Sequence, residues 1–115
     1  MVNLRAQGGS DVRATTRLKN MVSANRIVVA PGAFDGLSAR LVEQAGFPAI
    51  YASGGAIARS TGVPDIGLIS PDEIVQRLAA MVEVVGVPVI ADADTGYGNA
   101  LSAQRAADRS GVLPP

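Results

Sequence analysis

The feature that most restricts this chain is a repeated join. A Gly-x-Pro triplet runs straight into an apolar stretch at Gly46-Phe47-Pro48 and again at Gly86-Val87-Pro88. The first opens Ala-Ile-Tyr-Ala-Ser and the second Val-Ile-Ala-Asp-Ala-Asp, 40 residues later, the length of one strand–helix unit with a long loop. Glycine closes the preceding helix, and proline is tolerated at the first residue of a strand. Apolar runs without polar alternation, separated by amphipathic helical stretches, imply a parallel sheet covered by helices. The pattern predicts three β-α units behind a leading helix.

The leading helix is expected over residues 11–25, capped by Asp11, with Leu18, Met21 and Val22 on one face. Ile-Val-Val-Ala at 27–30 reads as a buried strand stopped by Pro31-Gly32. Asp35 caps a second helix carrying Leu37, Leu41 and Ala45, which Gly46 closes. The glycine-rich loop 53–67, with a short helix over 56–60, is longer than a simple connection, and loops of that length are often functional. Ser70-Pro71-Asp72-Glu73 joins a capping box to a proline at the first helical position. Ile74, Leu78, Met81 and Val85 then repeat at helical spacing up to Gly86. A further helix is expected over about 99–109. Gly111-Val112 begins a fourth apolar run that Leu113-Pro114-Pro115 stops. Residues 1–10 read as a flexible lead-in and 11–115 as one partial domain.

Composition narrows the chemistry. Ten basic residues balance ten acidic ones, against a nucleic-acid partner, which calls for a basic excess. No signal-peptide core is visible at the N-terminus, and the longest uncharged run, 44–58, is broken by glycine and proline, so no membrane partner is expected and a cytoplasmic location is the default. There is no cysteine and no histidine. Thiolate nucleophiles, Ser-His-Asp and Cys-His mechanisms and the usual zinc ligands are excluded. Carboxylates, hydroxyls, arginines, Lys19 and backbone amides remain.

The carboxylates concentrate at the end of the third strand, in Ala91-Asp92-Ala93-Asp94-Thr95-Gly96-Tyr97-Gly98. Strand residues i and i+2 point to the same side. Asp92 and Asp94 would therefore bring like charges together at the carboxyl end of a parallel strand, where α/β folds bind ligands. Such a pair calls for a cation or a shared proton, and Mg²⁺, with Mn²⁺ as an alternative, suits one or two carboxylates. The plainer reading is that both aspartates cap a turn. An EF-hand calcium loop fits poorly, because Gly96 and Tyr97 stand where it needs a ligand and a glycine. Ser53-Gly54-Gly55 follows the second strand. It is either a backbone nest for an anion or an ordinary turn. Tyr51 reads as a hydrogen-bond donor to substrate or as a core aromatic. Asp65 reads as a residue standing behind the metal or as a turn residue after Pro64. Arg40 and Arg59 read as surface helix residues.

Three segments, Pro31–Phe47, Tyr51–Gly67 and Ile90–Leu101, together resemble the isocitrate lyase and phosphoenolpyruvate mutase superfamily. The 2-methylisocitrate lyases are the nearest likeness, with relatives similar to oxaloacetate decarboxylases and carboxyphosphonoenolpyruvate mutases. The likeness runs from about residue 27 to residue 104. It implies a TIM-type (β/α)8 barrel, here incomplete, and a Mg²⁺-dependent carbon–carbon lyase that acts on a 2-hydroxy or 2-oxo acid and releases pyruvate. It places Asp92, Asp94 and Asp65 at the metal, Ser53, Gly54 and Gly55 on the substrate carboxylate, and Tyr51 in the active site. Full-length members are expected to be homo-oligomers. A complete barrel needs about 250 residues. The lyases carry a Lys-Arg-Cys-Gly-His motif that a chain without cysteine or histidine lacks, together with a later metal-site glutamate and a substrate-binding arginine. The expectation is a shortened member, inactive alone, a non-catalytic remnant, or a piece completed by association.

Overall fold

The computed structural model describes residues 12–93, 96, 101, 102, 104 and 105. Asp11, Asp94, the lead-in and the expected fourth apolar run lie outside the described residues. In chain order the elements are α1 (Ala14–Ser23), β1 (Gly32–Ala33), α2 (Gly36–Gln44), β2 (Ile50–Ala52), α3 (Gly54–Ser60), α4 (Pro71–Val84) and β3 (Val89–Ala91). Leu101, Ser102, Gln104 and Arg105 are helical, in the expected final helix.

The three strands form a parallel sheet in the order β1-β2-β3. Gly32, Tyr51 and Ile90 lie level in one row; Ala33, Ala52 and Ala91 form the next. Consecutive parallel strands in sequence order, with helices between them, are the α/β arrangement expected of an incomplete barrel.

Local chemistry sets the two main covering helices. Asp35 Oδ1 accepts from the Ser38 N–H at 2.8 Å, and Ser38 Oγ accepts from the Asp35 N–H at 3.1 Å. The Ser38 N–H bond leads a set that holds the Asp35 carboxyl below its ordinary pKa. Ser70 and Glu73 make the same reciprocal pair at the start of α4, with Pro71 at its first position. There too the backbone N–H of Ser70 is the first cause of a lowered carboxyl pKa, at Glu73. Gly46, at φ 93°, takes the left-handed conformation that ends α2.

The core lies between the sheet and these helices. Ala33, Ile50 and Ala52 from the strands meet Ala39 of α2, Ile57 of α3 and Ile74, Leu78 and Met81 of α4. Gly36 lets α2 approach α4 closely, since a Cβ there would stand 3.4 Å from the Ala80 carbonyl oxygen. Three side-chain bonds tie distant segments: Arg17 Nη2 donates to the Gly86 carbonyl, Glu43 Oε1 accepts from the Gly86 N–H at 2.7 Å, and Arg77 donates to the Phe34 carbonyl at 3.2 Å.

Several expectations need correction. Residues 27–30 are not a buried strand: Ile27 is 91% and Val29 53% exposed, and pairing with β2 starts only at Pro31. Proline lacks an N–H but keeps its carbonyl, and Pro31 accepts from the Tyr51 N–H at 2.9 Å. Helix α1 begins at Ala14 with Arg13 at the cap position and no capping bond from its side chain; the expected cap, Asp11, lies outside the described residues. Leu37 and Leu41 face outward, because the closely approaching face of α2 is the one carrying Gly36 and Ala39. Helix α3 starts at Gly54, two residues earlier than expected, since Ser53 caps it by accepting from the Ala56 N–H. Strand β3 ends at Ala91, although the Asp92 N–H still bonds the Ala52 carbonyl at 3.2 Å.

Candidate functional site at the strand ends

The carboxyl ends of β2 and β3 bring together residues from three segments. Side chains alternate along a strand, so Ile50 and Ala52 go into the core while Tyr51 turns to the opposite, open face. Tyr51 is 37% exposed, which removes its reading as a core aromatic. Its hydroxyl stands near enough to the Asp92 carboxylate to feel its charge. Partial desolvation first, then that charge, push the phenol pKa up.

Asp92 also reaches across to the glycine loop, where its Oδ2 accepts from the Gly54 N–H at 3.2 Å. This contact needs glycine, since a Cβ at position 54 would lie 2.9 Å from that oxygen. At Gly55 a Cβ would meet Asp65 Oδ2 at 2.9 Å and Arg59 Nη1 at 3.1 Å. The two adjacent glycines thus let two acidic side chains, from different loops, approach the start of α3. Asp65, Asp92 and Gly54 line one small cavity of about 60 Å³, walled on its apolar side by Leu68, Ile69 and Ile74. That volume holds a few waters or a hydrated ion of similar size.

The anion nest expected at residues 53–55 is partly engaged. Gly54 N–H is directed to Asp92 and Ala56 N–H to Ser53 Oγ. Among the described residues no acceptor takes the Ser53 hydroxyl hydrogen or the Gly55 N–H, and both are donors that a ligand could use. Tyr51, Ser53, Gly54, Gly55, Asp65 and Asp92 are all at this end of the sheet; Asp94 lies outside the described residues. Among the described residues no three His, Cys, Asp or Glu side chains gather into one group. Arg59 is an exposed residue of α3, as the sequence implies, and its guanidinium lies beside Gly55; the apolar wall is the part of the site that the sequence reading lacks. The guanidinium beside Gly55 depends on the pitch of α3, which only the Ser53 cap sets. Ile69 and Ile74 flank the Ser-Pro-Asp-Glu start, a signal that was available.

Fold and site define a class: a parallel α/β protein that presents acidic groups at the carboxyl ends of its strands. Within that class the chain belongs to the phosphoenolpyruvate phosphomutase family, whose model matches residues 18–110. It is 44% identical over 95 residues to 2,3-dimethylmalate lyase of Eubacterium barkeri, covering 82% of this chain and 33% of that protein. It is 44% identical over 91 residues to 2-methylisocitrate lyase of Bacillus subtilis (strain 168), covering 79% of this chain and 30% of that protein. Among solved structures, phosphonopyruvate hydrolase in complex with oxalate and Mg²⁺ superposes with a TM-score of 0.83 at 32% identity, over 86% of this chain and 35% of that one. The chain spans about a third of the length of the curated relatives it matches. The family resemblance read from the sequence is thereby shown. Among the described residues no helix is long and apolar enough to cross a membrane.

Proposed function

We propose that this chain carries the metal-binding and carboxylate-binding part of a Mg²⁺-dependent carbon–carbon lyase of the 2-methylisocitrate lyase type. The observation that carries this reading is the convergence of Asp92, Asp65 and the Gly54 amide on one small cavity at the strand ends. Two lyases at 44% identity support lyase chemistry. The oxalate and Mg²⁺ of the hydrolase complex support an oxygen-rich acid and a divalent ion as ligands.

The donor set fits such an ion. Mg²⁺ prefers a few carboxylate oxygens and keeps several waters. Asp92 and Asp94 would hold it, with Asp65 beside the same cavity. When bound, the ion supplies positive charge that offsets the carboxylates and draws electron density from a substrate oxygen. The chain's own residues do the positioning. The Ser53 hydroxyl and the Gly55 N–H offer two donors to a substrate carboxylate, without a Cβ at 55 to block its approach. The Gly54 N–H bonds Asp92 and holds its carboxylate in one orientation. No cysteine or histidine is present to move a proton to or from the substrate carbon.

Isothermal calorimetry with MgCl₂ tests the reading. The chain should bind Mg²⁺, and Asp92→Ala or Asp94→Ala should abolish the heat. Binding that survives both changes puts the site elsewhere. Residues 1–115 alone should release no pyruvate from 2-methylisocitrate above background, and robust release would show that the acid–base group lies within them.

A further inference from the structure

We infer that Arg59 is a specificity-determining residue of the acid site: its guanidinium takes a second carboxylate of the substrate, so the site prefers a dicarboxylic 2-hydroxy or 2-oxo acid to a monocarboxylic one. The inference rests on the acid-binding reading above and deepens it. Every group it uses lies between Ser53 and Asp65, in one continuous stretch of chain.

The placement of Arg59 follows from helix geometry. It stands four residues after Gly55 in α3, and residues four apart share a helix face. Helical side chains lean back toward the N-terminus. The Arg59 side chain therefore runs back over Gly55, where a Cβ would stand 3.1 Å from Nη1 and 3.7 Å from Cζ. Glycine at 55 leaves that place open. By ordinary bond lengths, Nη1 is within about 6 Å of the Gly55 nitrogen. The guanidinium thus stands beside the two donors assigned to the first carboxylate, the Ser53 hydroxyl and the Gly55 N–H. The carboxylates of a four-carbon diacid are joined through two carbons, and that span reaches from these donors to the guanidinium.

The charges at this point select for the second carboxylate. Asp65 Oδ2 lies 2.9 Å from the same Cβ position. Alone, that carboxylate would repel another. Arg59 offsets it, and five N–H donors are more than one carboxylate can accept. A guanidinium stays charged at any working pH, and its planar fork matches a carboxylate through two parallel bonds. A monocarboxylic acid held at Ser53 and Gly55 would leave these donors to water.

Calorimetry on the chain in saturating MgCl₂ tests the inference by comparing malate with lactate, which lacks only the second carboxylate. The wild-type chain should bind malate roughly tenfold more tightly or better, the usual worth of a hydrogen bond between charged groups. Arg59→Gln should lose most of that preference, through weaker malate binding and with far less change for lactate. Arg59→Lys, which keeps the charge without the fork, should keep part of it. Arg59 is exposed, so circular dichroism should stay unchanged in both variants. A residue that only partners Asp65 would change the two affinities by the same factor, and that result would overturn the inference. So would a malate preference that survives Arg59→Gln, or a Mg²⁺-loaded chain that binds neither acid. A wild-type chain that gives no heat with MgCl₂ would overturn the metal-site reading itself, and this inference with it.

Discussion

The sheet has one row of side chains pressed under helices and another left open, and the two rows do different work. Ala33, Ile50 and Ala52 are at most 1% exposed beneath α2, α3 and α4. Tyr51, between Ile50 and Ala52 in sequence, is more than a third exposed. Continuous apolar strands are the mark of a sheet covered on both faces, yet among the described residues the helices cover one. Stability is concentrated on that side. The polar groups of the candidate site stand at the strand ends and on the open side, where a side chain can be exchanged at less cost to the fold.

The sharpest way to break this contrast is to truncate neighbours on β2. Ile50→Ala should cost about 2–5 kcal/mol in a denaturant titration, the usual range for emptying a packed site. Tyr51→Phe should cost about 1 kcal/mol or less, because it deletes one hydroxyl at a half-open position. Equal costs would mean that the open face is covered after all.

The glycines come next. Gly54→Ala puts a methyl 2.9 Å from the Asp92 carboxylate oxygen and 3.3 Å from its Cγ. That short, bonded side chain must move, so a loss of about 1–3 kcal/mol is expected, the range for overpacking, with weaker Mg²⁺ binding. Gly55→Ala meets the ends of Asp65 and Arg59, which can swing aside, and should cost less. The reverse order would shift the tight contact from Asp92 to Asp65.

The caps of the covering helices give a smaller effect. Ser70→Ala and Asp35→Ala should each cost about 1 kcal/mol. Folding lowers the pKa of both Asp35 and Glu73. Their contribution is therefore complete above the unfolded carboxylate values, near 4, and is lost as the pH falls through the lower folded values. Amide exchange followed into acid should show α2 and α4 loosening, with no such step in α1, where Arg13 stands at the cap position.

Smallest of all is a titration. Partial burial and then Asp92 raise the Tyr51 pKa, so its hydroxyl stays protonated above the ordinary value near 10. The stabilisation is present below that value and is lost as the pH rises through the folded one. In ultraviolet titration, Asp92→Asn should return the Tyr51 component toward the ordinary value. A component that does not move would remove Asp92 as a cause.

What could be read in advance was local. Ser70-Pro71-Asp72-Glu73 and Asp35 announce their helices because a cap and its partner lie three residues apart. The Gly-x-Pro joins announce β2 and β3 for the same reason. Coverage could not be read: the stripe of Leu37 and Leu41 is visible in sequence, but the surface that α2 meets is chosen by Gly36 and Ala39. The run at 27–30 looks buried by composition and lies open, because burial requires a neighbouring strand that composition cannot supply. At the site, the family likeness pointed to Asp92 and Gly54 separately. The bond between them spans 38 residues and depends on β2 and β3 lying side by side.

Gly86 has a consequence for mechanics. Its N–H is taken by Glu43 from the last turn of α2, and its carbonyl by Arg17 from α1. One residue without a side chain thus pins two helices to the foot of the strand whose far end leads to Asp92. A shift of α1 must either break the Arg17 bond or drag that foot with it. Whatever grips the amino-terminal helix therefore has a short lever on the acidic end of the sheet.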